Sequence, residues 1–376
     1  MKVDWKRILH IALFWFVIRI VLGVWMWGIG DIFHAAIPVK SLDSYKGVLL
    51  ETNPWLEPWQ RWDTPQYQAI AERGYTAFDT ALFTPPLYPL LMRLVAQLLG
   101  GNTLLAGLVI SGMTGLLCLV FVERMVRFEF DDQSDSIRTV LYMISFPTAI
   151  FFFAAYTESL FLLAVVASLF AARRAKWIQA GIWGAVAALT RSPGFLICIP
   201  LTFAAWCAWK KGDRKGWLGI AITLMGASMF PIYVWFSLHQ PPTAILTAVG
   251  RGGQLTFPGW NIVLAILHIL RGQFIAENLI ELTFTLLFIF LTTLIWKKLP
   301  RLYAVYTVTF MALFLTRLGS PQPLVSMARY VLEIFPAFLI FAIWGRKPLV
   351  NRLILYISWL GLLFFSAQFA IWGWVG

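Results

Sequence analysis

The chain predicts an all-α protein that crosses a membrane many times, and two observations carry that prediction. Of its 376 residues, 60% are hydrophobic and only 13% charged, with a mean hydropathy of +0.75. Soluble domains do not tolerate that balance, whereas a polytopic membrane protein requires it. Six clusters of Lys and Arg also interrupt the apolar sequence, at 1–7, 122–138, 173–176, 210–216, 297–301 and 346–352, and hold 19 of the 30 basic residues.

The net charge of +12 is explained by those clusters. Basic loops beside membrane spans set topology, so nucleic acid is not expected as a partner. A span needs about 20 apolar residues. Apolar runs occur at 8–29, 103–121, 138–155, 157–172, 177–190, 194–209, 217–238, 275–296, 302–318, 330–345 and 353–373. The first is long for a signal-peptide core and lacks a small-residue cleavage site, so it is expected to be a retained anchor helix. The segment 84–99 is apolar too, but carries Pro85, Pro86, Pro89 and Arg93. Counting it as a span would set every later basic cluster against the positive-inside rule. It is therefore expected to lie on the surface as an amphipathic or re-entrant helix. About eleven transmembrane helices result, with the N-terminus cytoplasmic and the short run 177–190 partly re-entrant. Residues 1–376 read as one membrane domain, without linker or repeat.

The opposite, charge-poor face receives two long segments, 30–102 and 239–274, and short turns at 156–159, 191–194 and 319–329. Most of the polar residues suited to chemistry lie there. Asp63 opens a helix-like run over 63–73 that Gly74 should stop. Followed by Gln66, it fits a capping box; it equally suits a general base at the bilayer surface, a role that capping would weaken. Glu158 sits between two apolar runs, where a carboxylate has a partner, a capping role or a function. Arg191 and Arg329 either pair with Glu158 or Glu333, or offer forked donors to a phosphate. Arg251, among Gly250, Gly252 and Gly253, lies in a loop able to cradle one. Arg19, inside the first run, should face the bundle interior. Phe83-Thr84-Pro85-Pro86-Leu87-Tyr88-Pro89 is a rigid aromatic stretch suited to a lipid tail. The three cysteines lie in apolar segments, the four histidines are scattered, and the acidic residues show no paired-carboxylate motif. Neither a metal nor another cofactor is expected.

Trp62-Asp63…Ile70-Ala71…Gly74-Tyr75, Pro86-Leu87-Tyr88-Pro89, Phe146-Pro147-Thr148-Ala149, Tyr156-Thr157-Glu158-Ser159-Leu160, Arg191-Ser192-Pro193-Gly194 and Ser326…Arg329-Tyr330 follow one another in this order. The series resembles the PIG-V family, the mannosyltransferases that add the second mannose to glycosylphosphatidylinositol, with their prokaryotic relatives. The resemblance spans residues 8–340. It implies a GT-C glycosyltransferase using a polyprenyl-phosphate sugar donor on the outer or lumenal face, with Asp63 as the catalytic carboxylate of the first outer loop. Arg191, Arg329 and Arg251 would then hold the donor phosphate. Trp62, Gln66, Tyr67, Tyr88, Tyr156, Glu158 and Tyr330 would shape the substrate site. Gln66-Tyr67 and Pro193 depart from the residues frequent in relatives and leave the acceptor open, lipid-linked or glycan. Short loops favour a prokaryotic plasma membrane over the endoplasmic reticulum. A lipid flippase, a non-catalytic subunit of a lipid-modifying complex and a GT-C enzyme for another sugar stand as alternatives.

Overall fold

The computed structural model describes residues 5–33, 42–75, 82, 84–130, 133–245, 254–373 and 375. Among them the helices are α1 Trp5–Ile32, α2 Thr64–Arg73, α3 Leu87–Ala96, α4 Thr103–Glu129, α5 Gln133–Ser145, α6 Ile150–Phe153, α7 Glu158–Arg173 and α8 Trp177–Thr190. They continue as α9 Cys198–Trp209, α10 Gly216–Ser237, α11 Trp260–Leu270, α12 Ile275–Lys298, α13 Arg301–Thr316, α14 Met327–Tyr330, α15 Pro336–Trp344 and α16 Pro348–Ala370. The strands β1, Gln254–Leu255, and β2, Arg317–Leu318, pair antiparallel.

Six described helical stretches are long and apolar enough to cross a membrane: α1, α4, the continuous Ser192–Trp209, α10, α12 and α16. A seventh candidate is the pair Met327–Glu333 and Pro336–Trp344, bent by 85°. Length therefore carries the count to six or seven, where the apolar runs led to about eleven. Two causes are visible. Run 138–155 is broken between α5 and α6 at Phe146-Pro147, and run 330–345 is bent ahead of Pro336, because proline withholds an amide from the helix ladder. The helices α7, α8 and α13 have 16, 14 and 16 residues, about 21–24 Å at 1.5 Å per residue, short of a hydrocarbon layer of about 30 Å. Helix α3 has ten residues, about 15 Å, and cannot cross alone.

The chain divides into two compact units interleaved in sequence: residues 1–77, 88–163 and 341–375, and residues 78–87 with 164–340. In the first unit, α4 carries Gly107, Ser111 and Gly115 at four-residue spacing, a pattern that lets helices approach closely in membranes. A Cβ on Gly115 would lie 2.6 Å from the Trp15 ring, and one on Gly107 2.8 Å from Ala155. Trp15 of α1 stacks on Phe153 at 4.3 Å. One turn further along α1, Arg19 turns inward, donating to the carbonyls of Leu108 (3.0 Å) and Phe153 (3.4 Å). Phe153 ends α6, so its carbonyl lacks an intrahelical partner and the arginine supplies one. On the side of the basic clusters, buried Asp135 of α5 binds Arg138 and, through both oxygens, Arg346 in the α15–α16 connection.

In the second unit α8 and α10 meet through glycines. A Cβ on Gly181 would lie 2.5 Å from the Gly219 carbonyl, and one on Gly226 2.3 Å from the Ala185 Cβ. The Trp177 indole of α8 donates to Asp213 at 2.8 Å, fixing the loop that precedes α10. Along α12 the buried positions Asn278, Glu281, Thr285, Phe288, Leu291 and Ile295 form one inward stripe at helical spacing.

Candidate active site

Helix α2 runs Thr64–Arg73, and Gly74 at φ 75° closes it, as the sequence predicts. Asp63 takes the N-cap position, yet its side chain makes no cap hydrogen bond. The physical reason is in the backbone. Asp63 adopts φ −78°, ψ −17° instead of the extended conformation of a capping residue, and the Gln66 amide is bonded to the Asp63 carbonyl. The capping box is thus not formed. The Gln66 side-chain amide instead lies 3.4 Å from Asp63 Oδ1, and the Tyr156 hydroxyl accepts the Asp63 backbone N–H at 3.0 Å.

The loop before Asp63 is fastened by Arg61, which is wholly buried. Its guanidinium binds the Glu57 carbonyl (2.7 Å), the Glu57 carboxylate (2.5 Å) and the Ala370 carbonyl at the end of α16 (2.8 Å). It also lies 5.4 Å from the Trp372 ring. A helix C-terminus presents unpaired carbonyls and partial negative charge, and a buried cation answers both. Trp62 sits at φ 56°, a left-handed backbone that costs a non-glycine residue about 1 kcal/mol. Its ring packs on Trp372 at 5.7 Å. A second network steadies the far side of α2: Gln60 donates to Gln68, Gln68 to Thr103, and Thr103 to Glu72.

Beneath Asp63 lie three buried tyrosines. Tyr67 meets Tyr88 and Tyr156 edge to face at 5.5 and 5.8 Å. The Tyr88 hydroxyl bonds Ser111 (2.9 Å) and the Gly107 carbonyl (3.1 Å), and Ser111 Oγ donates to the Tyr156 carbonyl (2.9 Å). Burial pushes the Tyr88 phenol well above its ordinary range, so it serves as a standing hydrogen-bonding group. The lipid-tail ledge read around Tyr88 takes a different form: Tyr88 faces inward, while Leu90, Leu94 and Leu98 are exposed on the other side of α3 and its extension. Phe83 lies outside the described residues. Glu158 is the first residue of α7 and is buried, where the helix dipole favours a carboxylate. The first unit thus gathers Trp62, Asp63, Gln66, Tyr67, Tyr88, Tyr156 and Glu158.

The second unit gathers another set. Arg191 ends α8, and the chain doubles back so tightly that a Cβ on Gly194 would lie 2.1 Å from the Ala187 carbonyl; the motif's glycine permits that turn. Arg191 pairs with Glu333 at 3.2 Å, one of the two partners the sequence offered. Arg191 lies 5.9 Å and Arg317 4.8 Å from the Tyr330 ring, which stacks on Phe314 at 5.3 Å. Arg329 is buried beside Tyr330 in α14. Arg251 lies outside the described residues. Among the described residues, no three His, Cys, Asp or Glu side chains come together as metal ligands.

Sequence reasoning passed over Arg61, Ser111, Arg317 and Glu281. Arg61 stands immediately before the first motif, and Arg317 lies at the end of the apolar run 302–318. Glu281 is marked by its place in the polar line Asn278, Glu281, Thr285.

The family model for mannosyltransferase (PIG-V) matches residues 15–208. The chain belongs to the mannosyltransferase (PIG-V) family. That match contains Asp63, Tyr156, Glu158 and Arg191. GPI mannosyltransferase 2 of Yarrowia lipolytica (strain CLIB 122 / E 150) is 24% identical over 212 residues, 55% of this chain. The matched region spans 58% of that relative's length. Among solved structures, ArnT from Cupriavidus metallidurans bound to undecaprenyl phosphate shares the fold at 13% identity and a TM-score of 0.54, over 95% of this chain and 69% of ArnT. Apo ArnT from the same organism gives 13% identity and a TM-score of 0.55, over 96% of this chain and 78% of ArnT. This PIG-V family member therefore shares the fold of ArnT, with described helices long and apolar enough to cross a membrane.

Proposed function

We propose that the chain is a mannosyltransferase. It moves mannose from a polyprenyl-phosphate donor to a hydroxyl of a lipid-linked or glycan acceptor, on the non-cytoplasmic face of a prokaryotic plasma membrane. Family membership supports mannose. ArnT, which shares the fold, is bound to undecaprenyl phosphate, which supports a polyprenyl donor. The observation that carries the choice of Asp63 is its setting: a carboxylate at a helix start that makes no cap bond, on a loop anchored by a buried arginine.

In the reaction, Asp63 accepts the proton of the acceptor hydroxyl as that oxygen attacks the anomeric carbon. The bond from that carbon to the phosphate oxygen breaks, and polyprenyl phosphate leaves with the electron pair. Configuration inverts. Arg191, Arg317 and Arg329, with Arg251, are assigned to the charge on the leaving phosphate, a task suited to forked guanidinium donors. Neither this displacement nor its base calls for a metal. Arg19 is bonded to backbone carbonyls, which favours a scaffold role for this intramembrane charge over a transport path.

The test compares wild type with Asp63→Asn in membranes given radiolabelled polyprenyl-phosphate mannose and host lipid extract. A labelled product lipid should form in wild type and fall by about 10²–10⁴ in the mutant at equal protein level, the usual worth of a positioned base. Equal labelling would remove Asp63 from that role. Labelling only from another sugar donor would replace mannose.

A further inference from the structure

Glu281 lies six residues into α12, about 9 Å from its start, and is 1% exposed. A carboxylate at that depth is costly unless its oxygens are satisfied. Here Oε2 accepts the Ala328 backbone N–H at 2.5 Å. That amide belongs to the turn that leads into Arg329 and Tyr330. The turn is an unfavourable one, since Ser326 sits at φ 67°, a conformation that persists where the surroundings hold it. Oε1 has no hydrogen-bond partner among the described residues. The carboxylate thus engages the backbone of the turn through one oxygen while α12 supplies the rigid base. Asn278, one turn before Glu281, binds the Gln273 and Phe274 carbonyls, and the Thr285 hydroxyl one turn later binds the Glu281 carbonyl. Both steady the helix from which Glu281 reaches.

We propose that Glu281 is a positioning residue that holds the turn Ser326–Tyr330, and through it the Arg329 guanidinium, in the orientation that meets the donor phosphate. The donor half of this inference rests on the transferase reading above; the hold on the turn does not.

Purified full-length protein in lipid nanodiscs would be compared with Glu281→Ala and Glu281→Gln, the latter keeping a carbonyl oxygen able to accept from Ala328. Two readouts are taken. Deuterium uptake by the peptide containing 326–330 should rise on the order of tenfold in rate for Ala and return towards wild type for Gln. The KM for polyprenyl-phosphate mannose should rise about tenfold for Ala with kcat within about threefold, matching the loss of one hydrogen bond, and Gln should recover most of it. Wild-type uptake and KM in Glu281→Ala would overturn the proposal, as would a fall in kcat at unchanged KM. If Ala fails to fold, Glu281→Asp, one methylene short, should show the same two shifts. If wild type transferred no sugar, the transferase reading would fall while deuterium uptake still decided whether Glu281 holds the turn.

Discussion

At the scale of single residues, what matters is which polar atoms the scaffold engages. The Tyr156 hydroxyl accepts the Asp63 amide, which makes it part of the mounting of the candidate base; the sequence suggested a substrate contact. Tyr156→Phe keeps the ring packing and deletes that bond, worth about 0.5–1.5 kcal/mol. The expected outcome is a roughly three- to tenfold lower kcat with little change in thermal stability, read by the same mannose-transfer assay. Asp135 offers a contrasting case. Breaking a fully buried ion pair costs about 3–5 kcal/mol, but the Arg346 side chain is 48% exposed and water would rehydrate it. Asp135→Ala should therefore destabilise by about 1–3 kcal/mol, measured as a lower unfolding midpoint in detergent. Residue roles of this kind are the least legible in sequence. Asp-x-x-Gln reads as a capping box, and only the backbone angles at Asp63 show that the box is not made.

Elements were far more legible, because they follow from periodicity and punctuation. Run 177–190 coincides with α8, and Gly74 stops α2. The breaks at Phe146-Pro147 and before Pro336 followed from prolines that the apolar runs had absorbed. Helix packing offers a sharp comparison between glycines. Gly226→Leu would drive a side chain into Ala185, at an overpacking cost of about 1–3 kcal/mol, and should reduce the yield of folded protein. A Cβ on Gly23 of α1 would meet nothing within 4 Å among the described residues, so Gly23→Leu should leave the yield unchanged. The loop between α9 and α10 has its own pH signature. Hydrogen bonds from the Trp177 indole and the Lys215 amide hold the Asp213 carboxyl below its usual 3.8. A depressed carboxyl stabilises above its unfolded value and loses that contribution as pH falls through the folded one. Any effect should therefore appear only below about pH 4, as a loss of thermal stability that Asp213→Asn no longer shows.

At the scale of the whole molecule, the distribution of basic residues is the strongest signal, since it depends on loops and not on where each helix ends. Eleven apolar runs and, among the described residues, six or seven helices of spanning length agree on a multi-pass protein; they part where short or broken helices stand in for spans. The charge rule places residues 49–56 on the non-cytoplasmic side and 210–216 inside. In a cysteine-free background, a cysteine replacing exposed Leu49 should react with a membrane-impermeant maleimide on intact cells, and one replacing Lys211 only after lysis. The reverse labelling would invert the topology.

The grip of Arg61 on the Ala370 carbonyl and the Trp372 ring gives the loop ahead of Asp63 a dependence on residues some three hundred positions away. Selection acting on the loop would then be felt at the far end of the chain. Among relatives, positions 61, 62 and 372 should change in concert, so that a lost arginine travels with a lost tryptophan. Random mutagenesis should likewise recover hits at 370–372 that mimic lesions in the loop itself, although no reagent aimed at the carboxylate would touch them.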